Sequence, residues 1–495
     1  MTTSALLRRP ISTTGQAGEL AEQPWWRRPR TLLVVVAVLH ALSPLVLLGV
    51  HWWFGVDETV YLSQINAHVP AGYFSAPRAR GATLIAAPIT SWTDSVAAVR
   101  VWVTALSGVA LYAGFAPWLR LRSGYLVPLA ALMVSTLWTV TYYGFEVMPN
   151  EWVAFAAVGT CGYALRYLDE GRRRQLVAVG LAALWIALLR PSDALFAGGA
   201  LGVCVLLVKV PLRRRLRVVA ALVLGAGIGI GEWVVEAQTS YGGLMARVHA
   251  SQAEQGGGGL HFAGAAQART LAGPVLCRAG CAADAPVAYQ LWWVVAAVLV
   301  AIGVIATRRR AEVIMVVVAL AMASQYVFTV TYAAPRFLIP TYALLSLPAA
   351  AGAIALLRAV RRSHWRRLLQ VVLIGGLVAN TALQAHVIVS NLAPATRTAD
   401  RAVLGDAAAL HRLGVGQPCL LIGHVDNLRL SYATACSNSA RTPAAVRSDL
   451  AHGTRVVWLR GTTPSRSYRV HWRRVLLPGE TKPRIAYLSG ARLPA

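Results

Sequence analysis

The sequence predicts an α-helical polytopic membrane protein with a small extracytoplasmic α/β domain at its C-terminus. Three observations lead there. The 495 residues are 56% hydrophobic and only 14% charged, with a mean hydropathy of +0.54, a composition that suits a bilayer better than water. The arginines come in short clusters between membrane-length apolar runs, as topology-setting charges do. After about residue 390 the long runs stop and short segments of helical and alternating spacing take over.

The first apolar run, Thr31–Val50, follows Arg27-Arg28-Pro29-Arg30. Positive charge stays inside, so residues 1–30 form a basic cytoplasmic N-terminus and the loop after the run lies outside. The residues before Thr31 are polar and basic, and no small-residue cleavage site follows, so this span is expected to stay as an anchor. Ten further spans are expected near 96–118, 125–145, 150–168, 176–190, 193–210, 218–237, 287–306, 313–333, 338–357 and 368–390. The basic flanks Arg172–Arg174 and Arg213–Arg217 should share one side, which demands an even number of crossings between them. Pro191, in Arg190-Pro191-Ser192-Asp193, would break a helix midway, so a hairpin is expected there whose tip does not clear the outer leaflet. About eleven spans leave the C-terminus outside. The membrane domain is then 31–390, with outer loops at 51–95 and 238–286, and the soluble domain is 391–495. Within the soluble domain, Asp400–Leu413 has helical spacing. Cys419–Ile422, Val456–Leu459, Tyr468–Leu477 and Ile485–Leu488 read as strands.

The net charge of +27 first suggests nucleic acid. Its clustering at Arg8-Arg9, Arg27–Arg30, Arg120/Arg122, Arg172–Arg174, Arg213–Arg217, Arg308–Arg310 and Arg358–Arg367 reads instead as topology signals and contacts to anionic membrane lipids. No nucleic-acid partner is expected. Cys161 and Cys204 lie within apolar runs and read as packing residues. Cys277 with Cys281, and Cys419 with Cys436, share outer segments where thiols oxidise, so a bridge within each pair is expected.

Unusual polar residues gather on the expected outer face. The first loop carries Asp57, Glu58, Tyr61, Gln64, Asn66, His68, Arg78 and Arg80, and the next turn carries Glu146, Asn150 and Glu151. The hairpin tip carries Arg190 and Asp193, and Arg336 precedes a late span. Ionisable groups at membrane depth are costly and face a cavity or one another, so their convergence suggests one site. Each also has a plainer reading. Asp57 and Glu58 suit the start of an interfacial helix, and Glu151 suits a helix cap. Arg190 and Asp193 suit mutual neutralisation, and Arg336 suits snorkelling to lipid phosphate. Glu232 and Glu236 share a helix face and read best as a solvated helix end. Gly256–Gly259 reads as a hinge, since no Lys-Ser/Thr follows it. The pairs Trp25-Trp26, Trp52-Trp53 and Trp292-Trp293 read as interfacial belts. His249, His261 and His424 lack metal-ligand spacing.

Taken together, Phe54-Gly55-Val56-Asp57-Glu58-Thr59-Val60-Tyr61 and Pro77-Arg78-Ala79-Arg80-Gly81 resemble the first outer loop of GT-C glycosyltransferases. Further matches are Pro149-Asn150-Glu151, Leu189-Arg190-Pro191 and Pro335-Arg336-Phe337-Leu338-Ile339-Pro340. The pattern is similar to protein O-mannosyltransferases and to aminoarabinose transferases of lipid A. The resemblance implies a hexosyl- or pentosyltransferase of the cell membrane. It would take a sugar from a polyprenyl phosphate and pass it, with inversion, to an extracytoplasmic glycan, lipid or protein. By the same resemblance Asp57 is the general base, with Glu58 beside it as a second catalytic residue. Tyr61, Arg78, Arg80, Arg190, Asp193 and Arg336 contact substrate, with Arg336, Arg190 and Arg80 the groups that meet the leaving phosphate. A divalent metal shared by Asp57 and Glu151 is open, because relatives differ in metal use; no other cofactor is implied. Two rival readings stand beside this one. A ligase or polymerase moving glycans from polyprenyl diphosphate would centre on Arg247 and His249. A lipid or glycan transporter would need no outer acid pair and would tend to show repeat symmetry.

Overall fold

The computed structural model describes all residues except 1–23, 279–280, 282–285, 361–364, 424–426, 439–441, 461–462, 481 and 493–495. The expected N-terminal segment up to residue 23 and His424 therefore lie outside the described residues.

In chain order the helices before the tail are α1 Pro29–Leu47, α2 Val56–Ser63, α3 Gly81–Thr90, α4 Val96–Phe115, α5 Leu126–Ser135, α6 Trp138–Tyr143, α7 Pro149–Glu170 and α8 Arg173–Leu189. There follow α9 Pro191–Leu207, α10 Leu212–Ser240, α11 Leu244–Glu254, α12 Gly264–Thr270, α13 Leu291–Thr307, α14 Arg310–Phe328, α15 Ile339–Ala359 and α16 Trp365–His386. The tail holds α17 Ala393–Arg412, β1 Cys419–Ile422, α18 Asn427–Thr434, α19 Pro443–Ala451, β2 Arg455–Trp458, β3 Val470–Leu477 and β4 Arg484–Arg492. Among the described residues, seven helical segments are long and apolar enough to cross a membrane, and the protein is a multi-pass membrane protein. Two compact units result. One comprises Met1–Leu48, Ala76–Gly81 and Val103–Asn391; the other comprises Gly49–Ser75, Ala82–Trp102 and Leu392–Ala495.

The helical unit is packed through small residues. A Cβ on Gly303 of α13 would lie 2.0 Å from the Pro348 carbonyl of α15, and one on Gly225 of α10 would lie 2.1 Å from the Gly180 carbonyl of α8. Such close approach is how helices gain contact where lipid offers no hydrophobic drive. The expected third span is not one helix but two, α5 and α6. Leu137 is extended, at φ −70° and ψ 132°. The Trp138 amide released there is bound by the buried Gln384 side chain at 3.0 Å, which satisfies that donor at the break. The expected hairpin break is present. Pro191 opens α9 and holds Arg190 extended at φ −155° and ψ 98°, as a residue before proline prefers.

The second unit carries a four-stranded sheet in the order β1-β2-β4-β3. β1 and β2 are parallel, a pairing that requires a crossover, which α18 and α19 provide. β4 runs antiparallel to both β2 and β3. Val403, Leu410, Leu421, Leu430, Val457 and Leu488 form the larger core, between the sheet and the helices α17 and α18. Cys419 and Cys436 are bridged within this unit, as are Cys277 and Cys281 within the helical one. Cys161 and Cys204 are free thiols. The first outer loop packs with the tail. Arg429 Nε donates to the Phe54 carbonyl at 2.9 Å, Asn66 to the Tyr432 hydroxyl at 3.2 Å and Gln417 to the His68 carbonyl at 2.9 Å.

Candidate active site

Asp57 and Glu58 open α2, where carboxylates favour the unpaired amides and the helix dipole. Glu58 turns back to accept the Gly55 amide at 2.8 Å, closing a capping box. Its two oxygens also take a buried fork from Arg100, at 2.7 and 2.9 Å. Arg100 is completed by the carbonyls of Trp52 and Trp53 and lies over the Phe54 ring at 5.1 Å. Both side chains have no exposure, so the pair survives only because each partner satisfies the other. Glu58 thus fixes the start of α2, while its neighbour Asp57 remains half-exposed. Tyr61 is buried and packs edge-on against Phe74 at 6.0 Å. Tyr432 packs against Phe54 at 5.7 Å. Burial, with the Asp94 and Glu58 carboxylates adding to it, pushes its phenol up to about 12.

In the helical unit, Arg190 and Arg336 come together around one ring. The Arg190 guanidinium carbon lies 5.7 Å from the centre of Phe337, and that of Arg336 lies 5.4 Å from it. Phe337 in turn stacks on Tyr326, 4.6 Å away and 15° from parallel. Arg190 also covers Tyr326, and Arg336 covers Tyr143. Asp193 is buried and pairs with Arg190 across 3.3 Å. It also accepts the Tyr326 hydroxyl, while Ser192 accepts Gln325 at 2.8 Å. Two guanidiniums gathered on one aromatic stack present donors that match the oxygens of an anionic group.

Glu151 sits at the start of α7, fully buried. It accepts the Ser107 hydroxyl at 3.0 Å and meets His40 Nε2 at 2.8 Å. Gly144 leaves room for it: a Cβ there would lie 2.6 Å from the Glu151 carboxylate. The Glu151 carboxylate is already engaged, and among the described residues no three His, Cys, Asp or Glu side chains lie close enough together to hold an ion.

Arg80 meets Glu236 rather than standing alone, its Nε 2.7 Å from Oε1. Glu236 is buried and also takes Arg247 at 2.8 Å, which corrects the expectation of a solvated helix end. Arg247 is itself wholly buried, its guanidinium taken up by Glu236 and by backbone carbonyls. Three residues carry little signal in the sequence. Arg100 and His40 stand within apolar runs, and that placement is their only signal. Tyr326 carries none beyond aromatic character.

No protein-family model matches the chain, and no curated protein matches it by sequence. Solved structures do match. ArnT from Cupriavidus metallidurans bound to undecaprenyl phosphate superposes with a TM-score of 0.61 at 12% identity, covering 92% of this chain and 97% of that one. The Archaeoglobus fulgidus oligosaccharyltransferase in its apo form gives 0.54 at 13% identity over 86% of this chain and 66% of its own. AglB from the same organism, in complex with an inhibitory peptide and a dolichol-phosphate, gives 0.53 at 11% identity over 88% and 70%. The chain therefore shares the overall fold of these proteins, the GT-C-like fold that its outer-loop motifs resemble.

Proposed function

We propose that the protein is a membrane glycosyltransferase. It would move a hexosyl or pentosyl group from a polyprenyl phosphate to a glycan, lipid or protein of the cell envelope. One observation carries this reading: the likeness to ArnT bound to undecaprenyl phosphate extends over nearly the whole of both chains. Asp57 takes the proton of the acceptor hydroxyl as that oxygen attacks the anomeric carbon. The bond from the anomeric carbon to the phosphate oxygen breaks with inversion, and the carrier leaves as polyprenyl phosphate. Arg190 and Arg336 receive the charge that develops on it. Glu58 was expected to share the chemistry. Its fork with Arg100 supports a positioning role instead, holding α2 and so Asp57. Tyr61, buried against Phe74, shapes the same segment.

The basic flanks support a cytoplasmic N-terminus and an extracytoplasmic tail, and the two disulfides fit an oxidising compartment. The test is donor turnover by the purified protein in liposomes with an envelope extract. Release of polyprenyl phosphate together with labelling of the acceptor is expected. Movement of labelled lipid with no donor consumed would make the protein a transporter.

A further inference from the structure

The segment Ala76–Gly81 carries Arg78 and Arg80 and is held in the helical unit by a buried arginine. Arg247, on α11, has no exposure and lies between two rings, 4.3 Å from the centre of Trp233 and 4.3 Å from that of Tyr241. Its guanidinium donates to the Ala76 carbonyl at 3.1 Å, the Trp233 carbonyl at 2.7 Å, the Arg78 carbonyl at 2.9 Å and Glu236 at 2.8 Å. The Trp233 indole donates to the same Arg78 carbonyl at 3.2 Å. Both lone pairs of that carbonyl are thus engaged, which fixes the peptide plane following Arg78. Glu236 also holds Arg80. At the far end of the segment, a Cβ on Gly81 would lie 2.7 Å from the Leu188 carbonyl, so Gly81 presses on the last turn of α8, just before Arg190.

We infer that Arg247, Trp233 and Glu236 form a latch that sets the Arg78 guanidinium in register with Arg190 for the phosphate of the lipid carrier. These are positioning residues for donor binding, and Arg80 belongs to the latch rather than to the phosphate site. Burying a guanidinium is costly unless it is well paired, and three of the four hydrogen bonds here go to Ala76, Arg78 and the acid that also holds Arg80. The inference rests on the proposed use of a polyprenyl phosphate.

The test uses the full chain in detergent with undecaprenyl phosphate as the probe. Trp233→Phe keeps a ring beside Arg247 and deletes only the donor to the Arg78 carbonyl. Hydrogen exchange at residues 76–81 should quicken, and undecaprenyl phosphate should bind roughly three- to tenfold more weakly, the worth of one hydrogen bond. In an Arg78→Ala background the same substitution should leave binding unchanged, because the effect runs through Arg78. Quickened exchange with unaltered binding, or a Trp233→Phe effect that persists without Arg78, overturns the inference. Failure of the unaltered protein to bind the lipid phosphate instead overturns the functional reading beneath it.

Discussion

Arg190 and Arg336 lie against the same aromatic ring, that of Phe337, although 146 positions separate them in the chain. Each guanidinium is drawn to the ring face, which gathers two groups suited to phosphate oxygens at one place. Arg336→Ala should therefore weaken donor use by about tenfold to a hundredfold, the range of a lost charge-assisted contact. Steady-state kinetics with the polyprenyl-phosphate sugar measures this, and an unchanged rate would leave Arg336 as a lipid-snorkelling residue.

Phe337 gives a second, separable expectation. Phe337→Leu keeps the bulk of the site but removes the π-face that both guanidiniums use. Donor KM should rise by about threefold to tenfold with little change in the melting temperature of the purified protein. A large fall in melting temperature at constant KM would assign the ring to packing alone.

Glu58 and Arg100 are both fully buried, so each single truncation strands a charge. Arg100→Ala and Glu58→Ala should each cost about 3–5 kcal/mol, seen as a marked drop in thermal stability. Combining them should cost less than the sum, since neither charge is then left alone. Additive losses would mean that the fork is not the interaction that holds α2.

Glu151 is expected to serve structure. Glu151→Gln can still accept from Ser107 and bond to His40, so activity should fall by no more than about threefold. Glu151→Leu leaves both partners unsatisfied and should destabilise by about 1–3 kcal/mol or more. Activity abolished in a stably folded Gln variant would restore Glu151 to the chemistry.

Much of the architecture was legible in the sequence because its signals are one-dimensional. Apolar run length, arginine clusters and Pro191 each report a local event, and the helices, the break at Arg190 and the four strands of the tail lie close to where they are expected. The division of α5 from α6 was not legible, since its compensation comes from Gln384, far along the chain. The site was legible as a set of polar residues but not as a set of partners. Glu58, Glu151, Arg80 and Glu236 look alike in a sequence; only their neighbours Arg100, His40, Ser107 and Arg247 separate holding groups from candidate reacting ones. Arg100, His40 and Ser107 sit inside apolar runs, where a lone polar residue gives no indication of what it faces.

The most direct measurement is sugar transfer by Asp57→Asn. The amide is isosteric and cannot act as a base near neutral pH, while the Glu58–Arg100 fork that holds α2 is untouched. Transfer from the polyprenyl-phosphate donor to the envelope acceptor should be lost, with undecaprenyl phosphate binding and melting temperature retained. Transfer at the unaltered rate would show that Asp57 is not the base and that the chemistry lies elsewhere.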